Sequence, residues 1–181
     1  MSPVQPLLHH AASALGWRGI VVPDVAVLGH QVSAVVRVRA DVHEWRTANG
    51  WPPHADPSWF RAWFEPTVHD QLPVPAVELV GVLVGESTVD RALQSCGTLM
   101  TLAPCAVVLP GPQGTAAWPL IELDYYGIGV VAVESSGNTE LLVPPEDRST
   151  EFGPSLFGRW LLEVLYDRVL KEVPAGSRVS S

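Results

Sequence analysis

Residues 76–110 hold the pattern that most constrains the fold of this chain. The stretch AVELVGVLV at 76–84 is apolar except for Glu78, and CAVVLP at 105–110 is apolar throughout. Between these stretches, apolar residues recur at helical spacing until Pro104, which cannot continue a helix. Two strands joined by a helix form a parallel pair. The pattern therefore predicts an α/β fold with a mixed sheet on which helices pack.

The same periodicities predict the other elements. Pro23, in the middle of the first predicted strand, suits the edge of a sheet because proline has no N–H to donate. Gly29, between the first two strands, indicates a hairpin. The predicted elements are a helix over 6–16, strands over 19–28 and 32–41, a hairpin over 118–134 that turns at 124–127, and a helix over about 155–172.

Residues 42–75 interrupt the alternating pattern. They contain four tryptophans, three histidines and six prolines. Trp59, Phe60, Trp63 and Phe64 lie at helical spacings, so one short helix is expected within an otherwise irregular insertion. Residues 1–181 are expected to form a single domain that carries this insertion, because a chain of this length buries one substantial core.

Charge and composition limit the function classes. The formal net charge is −8, which argues against a protein that coats nucleic acid or anionic membranes electrostatically. It does not exclude a nuclease whose carboxylates are neutralised by metal ions. No apolar run approaches the ~18 to 20 residues of a membrane span. The two cysteines lack a disulfide-scaffold pattern, so a cytoplasmic protein without membrane contact is expected.

Lys171 is the one lysine of the chain. It lies four residues after Asp167 in the last predicted helix, which is the spacing of a surface ion pair. Arg159, Glu163, Asp167 and Lys171 form one stripe of that helix, and the stripe is predicted to face solvent. Lys171 is therefore the single candidate for a mechanism that needs an active-site lysine. Its spacing from Asp167 predicts a structural ion pair instead.

Several segments together resemble the PD-(D/E)xK, or restriction-endonuclease-like, superfamily. VVPDVAVL carries a Pro-Asp, VELVGV carries an acidic residue, and DRALQSCGTLMTL and CAVVLP follow as helix and strand. LVGVLVGEST at 79–88 is similar to the EVLSPST-like segment of a bacterial family that also carries PDVAV-like segments. The resemblance covers about residues 20–135 and implies a restriction-endonuclease-like fold.

The resemblance also implies a site. Asp24 and Glu78 would hold Mg²⁺ or Mn²⁺ for hydrolysis of a DNA phosphodiester. The family lysine would stand two residues after Glu78, where this chain has Val80. In an alternative alignment the metal-binding glutamate falls at Val82 and a helix lysine falls near Gln94. Gln94 or Arg39 is then the candidate to replace the lysine, and the site is degenerate in either alignment.

Each of these residues also has a structural interpretation. Asp24 follows a proline and is a good turn former. Glu78 is a candidate partner for Arg37 or Arg39, and Gln94 suits the solvent face of a helix. Arg37 and Arg39 alternate with apolar residues, as on a solvated strand face.

Two further sets of residues attract a functional interpretation. His43, His54 and His69-Asp70 could supply ligands to zinc, although their spacing matches no zinc motif. Cys96 and Cys105 are expected to be buried thiols rather than nucleophiles. The tryptophans of 42–75 are typical of a protein-contact surface. Two functions therefore remain open: a metal-dependent nuclease with weak or lost activity, and a non-catalytic protein-binding or assembly module that uses residues 42–75, with a homodimer as one form of assembly.

Overall fold

The computed structural model describes residues 5–63, 72–85, 88–111, 120–152 and 155–172. In this part of the chain, six strands form one mixed sheet in the order β1-β2-β3-β4-β5-β6, flanked by helices. The strands are β1 (Ile20–Val27), β2 (His30–Val38), β3 (Val77–Val84), β4 (Cys105–Pro110), β5 (Gly129–Val133) and β6 (Thr139–Val143). The helices are α1 (Gln5–Ala14), α2 (Ala40–Ala48), α3 (Pro57–Ala62), α4 (Val89–Leu99), α5 (Leu120–Tyr125), α6 (Ser149–Phe152) and α7 (Leu156–Glu172). The predicted α/β class with a mixed sheet is confirmed.

The strand-helix-strand unit forms as predicted. β3 and β4 are parallel, with Val82 opposite Cys105, and α4 connects them. Thr88 caps α4, because its side chain accepts a hydrogen bond from the backbone N–H of Arg91. Ser87 and Asp90 also have the spacing of a capping box, but Ser87 lies outside the described residues. The local pattern thus placed both strands and the crossover helix correctly.

β1 and β2 also follow the sequence. β1 stands at the edge of the sheet. Pro23 has no N–H to donate to a neighbouring strand, and an edge strand tolerates this because it pairs on one side only. Leu28 and Gly29 have φ angles of 50° and 87°, as in the two-residue turn of a hairpin with the right-handed strand twist. β1 and β2 are therefore antiparallel neighbours.

The predicted hairpin over 118–134 is wrong in its first half. Residues Leu120–Tyr125 form α5, and the partner of β5 is β6, which pairs with it antiparallel. α5 stops at Gly127, whose φ of 73° and N–H bond to the Asp124 carbonyl end the helix. The apolar residues before Gly127 fit a strand and a short helix equally well, so the alternation was not decisive.

The insertion contains more regular structure than expected. α3 accounts for the predicted short helix, but α2 was not predicted. α2 has little apolar periodicity because the residue that it buries is Arg46. Phe64, His69 and Asp70 lie outside the described residues.

The contacts divide the chain into two compact units. Unit 1 is Met1–Val35 with Leu79–Gly153, and unit 2 is Val36–Glu78 with Pro154–Ser181. The core of unit 1 is apolar and consists of Leu8, Ala11, Ala12, Val21, Val35, Leu83, Ala106, Val131 and Val133. In unit 2, α2 and α7 are joined by polar contacts instead. None of the described helices combines the length and the apolar character needed to cross a bilayer.

Gly129 begins β5 because nothing larger fits there. An added Cβ would lie 2.9 Å from Pro145 and 3.0 Å from the Ala106 side chain. Close packing therefore explains this glycine.

Candidate functional site

Two residues of the nuclease hypothesis lie in unit 1. Asp24 is exposed on β1, with a φ of 52° that interrupts the regular strand. Gln94 is exposed on α4, as expected for a solvent-facing helix residue. The positive φ of Asp24 agrees with its interpretation as a turn former, since aspartate tolerates this conformation.

The other two residues of that hypothesis lie in unit 2. Glu78 is exposed, and its Oε2 accepts a hydrogen bond of 3.2 Å from Nη1 of Arg37. Arg39 is also exposed, and its guanidinium lies 4.0 Å from the Asp41 carboxylate. Glu78 therefore has the arginine partner that its structural interpretation requires. Its assignment as a metal ligand stays a prediction.

Two positions that the resemblance assigns to the family's site are apolar here: Val80 at the lysine in one alignment and Val82 at the metal-binding glutamate in the other. Val80 is half-buried and packs against the core of unit 1, and Val82 is buried within β3. Among the described residues, no group of three or more His, Cys, Asp or Glu side chains is placed to hold a metal ion. The nearest partner of Glu78 is the Arg37 guanidinium, which would have to release the carboxylate before Mg²⁺ could bind there.

Unit 2 exposes a row of aromatic rings, which we call the tryptophan surface: Trp45, Trp51, His54 and Trp59. Trp45 and Trp51 have ring centroids 6.1 Å apart, Trp51 and His54 6.2 Å, and His54 and Trp59 4.6 Å. The three tryptophans are 51%, 39% and 44% exposed, respectively. Large aromatic side chains with this much solvent contact are a feature of recognition surfaces.

Arg46 holds the backbone beneath this surface. Its guanidinium donates to the carbonyl of Trp51 at 3.4 Å and to the carbonyl of Pro52 at 2.8 Å. The same group forms two hydrogen bonds of 2.8 Å with the Glu163 carboxylate. The loop that carries Trp51 is thereby tied to α2 and α7, so the aromatic row is held in place rather than left on a free loop.

Glu163 is the centre of the buried polar network. Its carboxylate accepts hydrogen bonds from Arg46, from Nη1 of Arg159 at 2.7 Å and from the backbone N–H of His54 at 3.0 Å. Burial alone would raise its pKa, but these donors outweigh burial and lower the pKa of Glu163 from 4.5 to about 2. Glu163 is therefore ionised at neutral pH and fully engaged, which suits a structural anchor and not a proton carrier.

Three neighbouring side chains complete the network. His43 Nδ1 lies 2.8 Å from the hydroxyl of Tyr166, over whose ring the Arg46 guanidinium sits at 4.9 Å. Burial raises the pKa of Tyr166, so its phenol stays protonated. The pKa of His54 is lowered, chiefly by burial and against the attraction of Glu163, so this ring is neutral at physiological pH. Tyr166 and His54 are therefore neutral neighbours of the ionic centre that Glu163 forms with its two arginine partners.

A groove opens beside Trp45. One wall is the face of α2 and the other is the extended segment that precedes β3, and the volume is about 460 Å³. This volume lies within the range of ordinary ligand sites. The residues that line it are Asp41, Val42, Trp45, Leu72, Pro73 and Val74.

In unit 1, two other reactive groups have structural partners. Cys96 and Cys105 are buried free thiols, as predicted. The hydrogen bond with Cys96, together with burial, raises the pKa of the Cys105 thiol well above its ordinary value, so it is not a thiolate nucleophile. Ser95 Oγ lies 3.0 Å from His30 Nδ1, but the serine is buried on α4 and closed to a substrate.

Sequence reasoning missed Arg46 and Glu163. Glu163 was assigned to a solvated stripe because its neighbours at four-residue spacing are charged. A better signal was present, because apolar residues occur on nearly every side of α7, as in helices that are buried all round. For Arg46 no comparable signal exists, since its surroundings come from residues far along the chain.

No family model matches the chain, and neither a curated protein nor a solved structure does. The site must therefore be interpreted from its own geometry.

Proposed function

We propose that the protein is a non-catalytic protein-binding module whose contact surface is the tryptophan surface of unit 2. The observation that carries the proposal is the exposure of Trp45, Trp51 and Trp59 on one connected row of rings. Tryptophan is among the residues that contribute most to binding energy at interfaces. Exposing three of them in a row has no folding benefit, because their burial would be favourable.

The anchoring of the row supports the same proposal. Arg46 fixes the backbone at Trp51 and Pro52, and Asp56 caps α3 by accepting from the backbone N–H of Ser58 at 2.7 Å. A surface that is ordered before binding loses less conformational entropy when a partner docks. Glu163, whose pKa is lowered to about 2, takes part in this anchoring. Its carboxylate is occupied by hydrogen bonds and is not available for chemistry.

Selection of peptides from a random display library tests the proposal. The folded chain is the bait, and each selected peptide is measured against wild type, Trp45→Ala and Trp59→Ala. We expect at least about tenfold weaker binding to one or both variants, since hot-spot tryptophans contribute more than about 1.4 kcal/mol.

Ile121→Ala is the matched control, because Ile121 is an exposed apolar residue of unit 1. It should leave binding unchanged. Selected peptides that bind the tryptophan variants as well as wild type would overturn the proposal.

The second candidate is a Mg²⁺- or Mn²⁺-dependent nuclease of the restriction-endonuclease-like fold. The order of elements supports it: α1, β1, β2 and β3 are followed by α4 and β4, with β3 parallel to β4. Asp24 and Glu78 would be the metal ligands, with Gln94 or Arg39 in place of the lysine and DNA as substrate. Both carboxylates are exposed, so a cation could reach either of them.

A DNA-cleavage assay with Mg²⁺ or Mn²⁺ separates this candidate from the binding module. Cleavage by wild type that is lost in Asp24→Ala and in Glu78→Ala would support the nuclease. Cleavage that persists in both variants would exclude this site, and no cleavage by wild type would favour the binding module.

Sedimentation of the same preparations tests whether the chain forms a homodimer.

A further inference from the structure

We propose that the groove beside Trp45 binds a proline-rich segment in the polyproline II conformation, with an arginine or lysine next to the prolines. This inference rests on the proposed binding function and names the class of its partner. Three observations support it: the shape of the groove, the prolines in the backbone of one wall and the charge at the rim.

The walls of the groove suit a ligand that is recognised by its side chains. α2 contributes Val42 and the exposed ring of Trp45, and the opposite wall contributes Leu72, Pro73 and Val74. Proline rings pack well on aromatic and aliphatic surfaces, and a polyproline II helix is already extended before it binds. Its docking therefore costs little conformational entropy, which favours it in an open groove.

The backbone of the second wall is poorly suited to pairing with an added β-strand. Pro73 and Pro75 have no N–H to donate, and the carbonyl of Pro73 already accepts a hydrogen bond from Arg159. Strand addition needs free N–H and C=O groups along an edge. A ligand that needs no backbone ladder, such as polyproline II, therefore fits this groove better than an added strand.

The aromatic row continues from the groove. Trp45 lines the groove, and its ring centroid lies 6.1 Å from that of Trp51. Polyproline II rises about 3.1 Å per residue with three residues per turn, so one of its faces presents a residue about every 9 Å. A chain that leaves the groove over Trp45 can continue onto the tryptophan surface.

The charge at the rim indicates the residue next to the prolines. Asp41 lines the groove and Glu44 lies one turn along the exposed side of α2. Arg39 approaches Asp41 only to 4.0 Å, and both side chains are exposed, so this pair is weak. The formal net charge of the chain is −8. A cation beside the prolines is therefore complementary to this face.

Titration with short synthetic peptides, followed by tryptophan fluorescence and calorimetry, tests the proposal. The probe is one arginine followed by a run of prolines. The first control replaces alternate prolines by glycine, and the second replaces the arginine by glutamate. We expect the glycine peptide to bind about tenfold weaker and the glutamate peptide about fivefold weaker, with the second difference decreasing at high salt.

Variants of the protein locate the binding. Trp45→Ala should weaken the probe by at least about tenfold. Asp41→Asn should reduce the preference for arginine over glutamate and keep the preference for proline over glycine. Ile121→Ala, in unit 1 and outside the groove, should bind the probe within about twofold of wild type. Urea unfolding of each variant shows that the loss is not caused by unfolding.

Two results would overturn the proposal. One is a probe that binds no better than its glycine control, and the other is wild-type affinity in Trp45→Ala. If displayed peptides without proline nevertheless depend on Trp45 or Trp59, only the ligand class is wrong and the binding module stands. If displayed peptides are also indifferent to both tryptophans, both proposals are wrong.

Discussion

Of the arginine–glutamate pairs in unit 2, two lie in opposite environments. Arg46 and Glu163 form two hydrogen bonds of 2.8 Å and are 0% and 1% exposed. Arg37 and Glu78 form one of 3.2 Å and are 54% and 56% exposed. The sequence analysis left Glu78 open between a metal site and a pair with Arg37 or Arg39, and it placed Glu163 on a solvated face. The comparison teaches that residue type and spacing do not reveal the environment of a charge.

The two pairs are expected to differ in their effect on folding. An exposed pair contributes little because water screens it and both side chains lose freedom. A buried pair is costly to desolvate, but removing one member leaves the other charge buried without a partner. Arg46 also holds the backbone of Trp51 and Pro52 by hydrogen bonds, so loss of the Arg46–Glu163 pair should also disturb the tryptophan surface.

The largest effect is expected from Glu163→Gln. The substitution leaves the buried Arg46 guanidinium without its counter-ion, so the free energy of unfolding should fall by about 3 to 5 kcal/mol. Urea unfolding followed by tryptophan fluorescence measures this change. A loss under about 1 kcal/mol would contradict the assigned role of the pair.

A double variant tests whether the unpaired charge causes this loss of stability. Arg46→Met with Glu163→Leu removes both charges, so it should be less destabilised than Glu163→Gln alone. If the double variant is instead the less stable of the two, packing and not the unpaired charge causes the loss.

Acid should weaken the protein through Glu163. Its pKa in the folded state, about 2, is below the ordinary 4.5, so the stabilisation is present above pH 4.5 and is lost as pH falls toward 2. The difference corresponds to about 3 kcal/mol. Unfolding at a series of pH values should show this loss in wild type and a smaller one in Glu163→Gln. An identical pH dependence in the two proteins would be inconsistent with the assigned pKa.

Glu78→Gln should change stability by less than about 1 kcal/mol, because its pair with Arg37 is exposed. The effect should decrease further in high salt. The same urea experiment measures it, and a loss as large as that of Glu163→Gln would abolish the distinction between the two pairs.

The smallest effect is expected at Lys171. Its Nζ lies 2.6 Å from the Asp167 carboxylate, four residues earlier on α7. Replacing it with methionine should cost about 0.3 to 0.5 kcal/mol, the usual contribution of a surface pair at this spacing. A thermal midpoint shifted by many degrees would show that Lys171 has a further role.

Part of the fold could be predicted because its cause is local. The turn at Leu28–Gly29 and the helix stop at Pro104 depend on properties of neighbouring residues. α2 could not be predicted, because what it buries is an arginine whose acceptor lies 117 positions away. α5 was missed because a short apolar segment is compatible with either element until its neighbours are known.

The candidate site was predictable only in part. The tryptophans of 42–75 were interpreted as a contact surface from their number, and three of them are exposed in one row. Their order along that row, the groove beside Trp45 and the support from Arg46 depend on contacts with α7 and the segment before β3. Such contacts are long-range, and no local pattern records them.

The sequence by itself determined the parallel β3–β4 pair with its crossover helix, the edge position of β1, the helices α1 and α7 and the surface pair of Lys171. Each follows from periodicity, a turn residue or a spacing within a few positions. Only the tertiary structure decided which glutamate is buried. The energy of a charge depends on the solvent and the partners around it, and for Glu163 these come from Arg46 and His54, which the folded chain brings to it from far along the sequence.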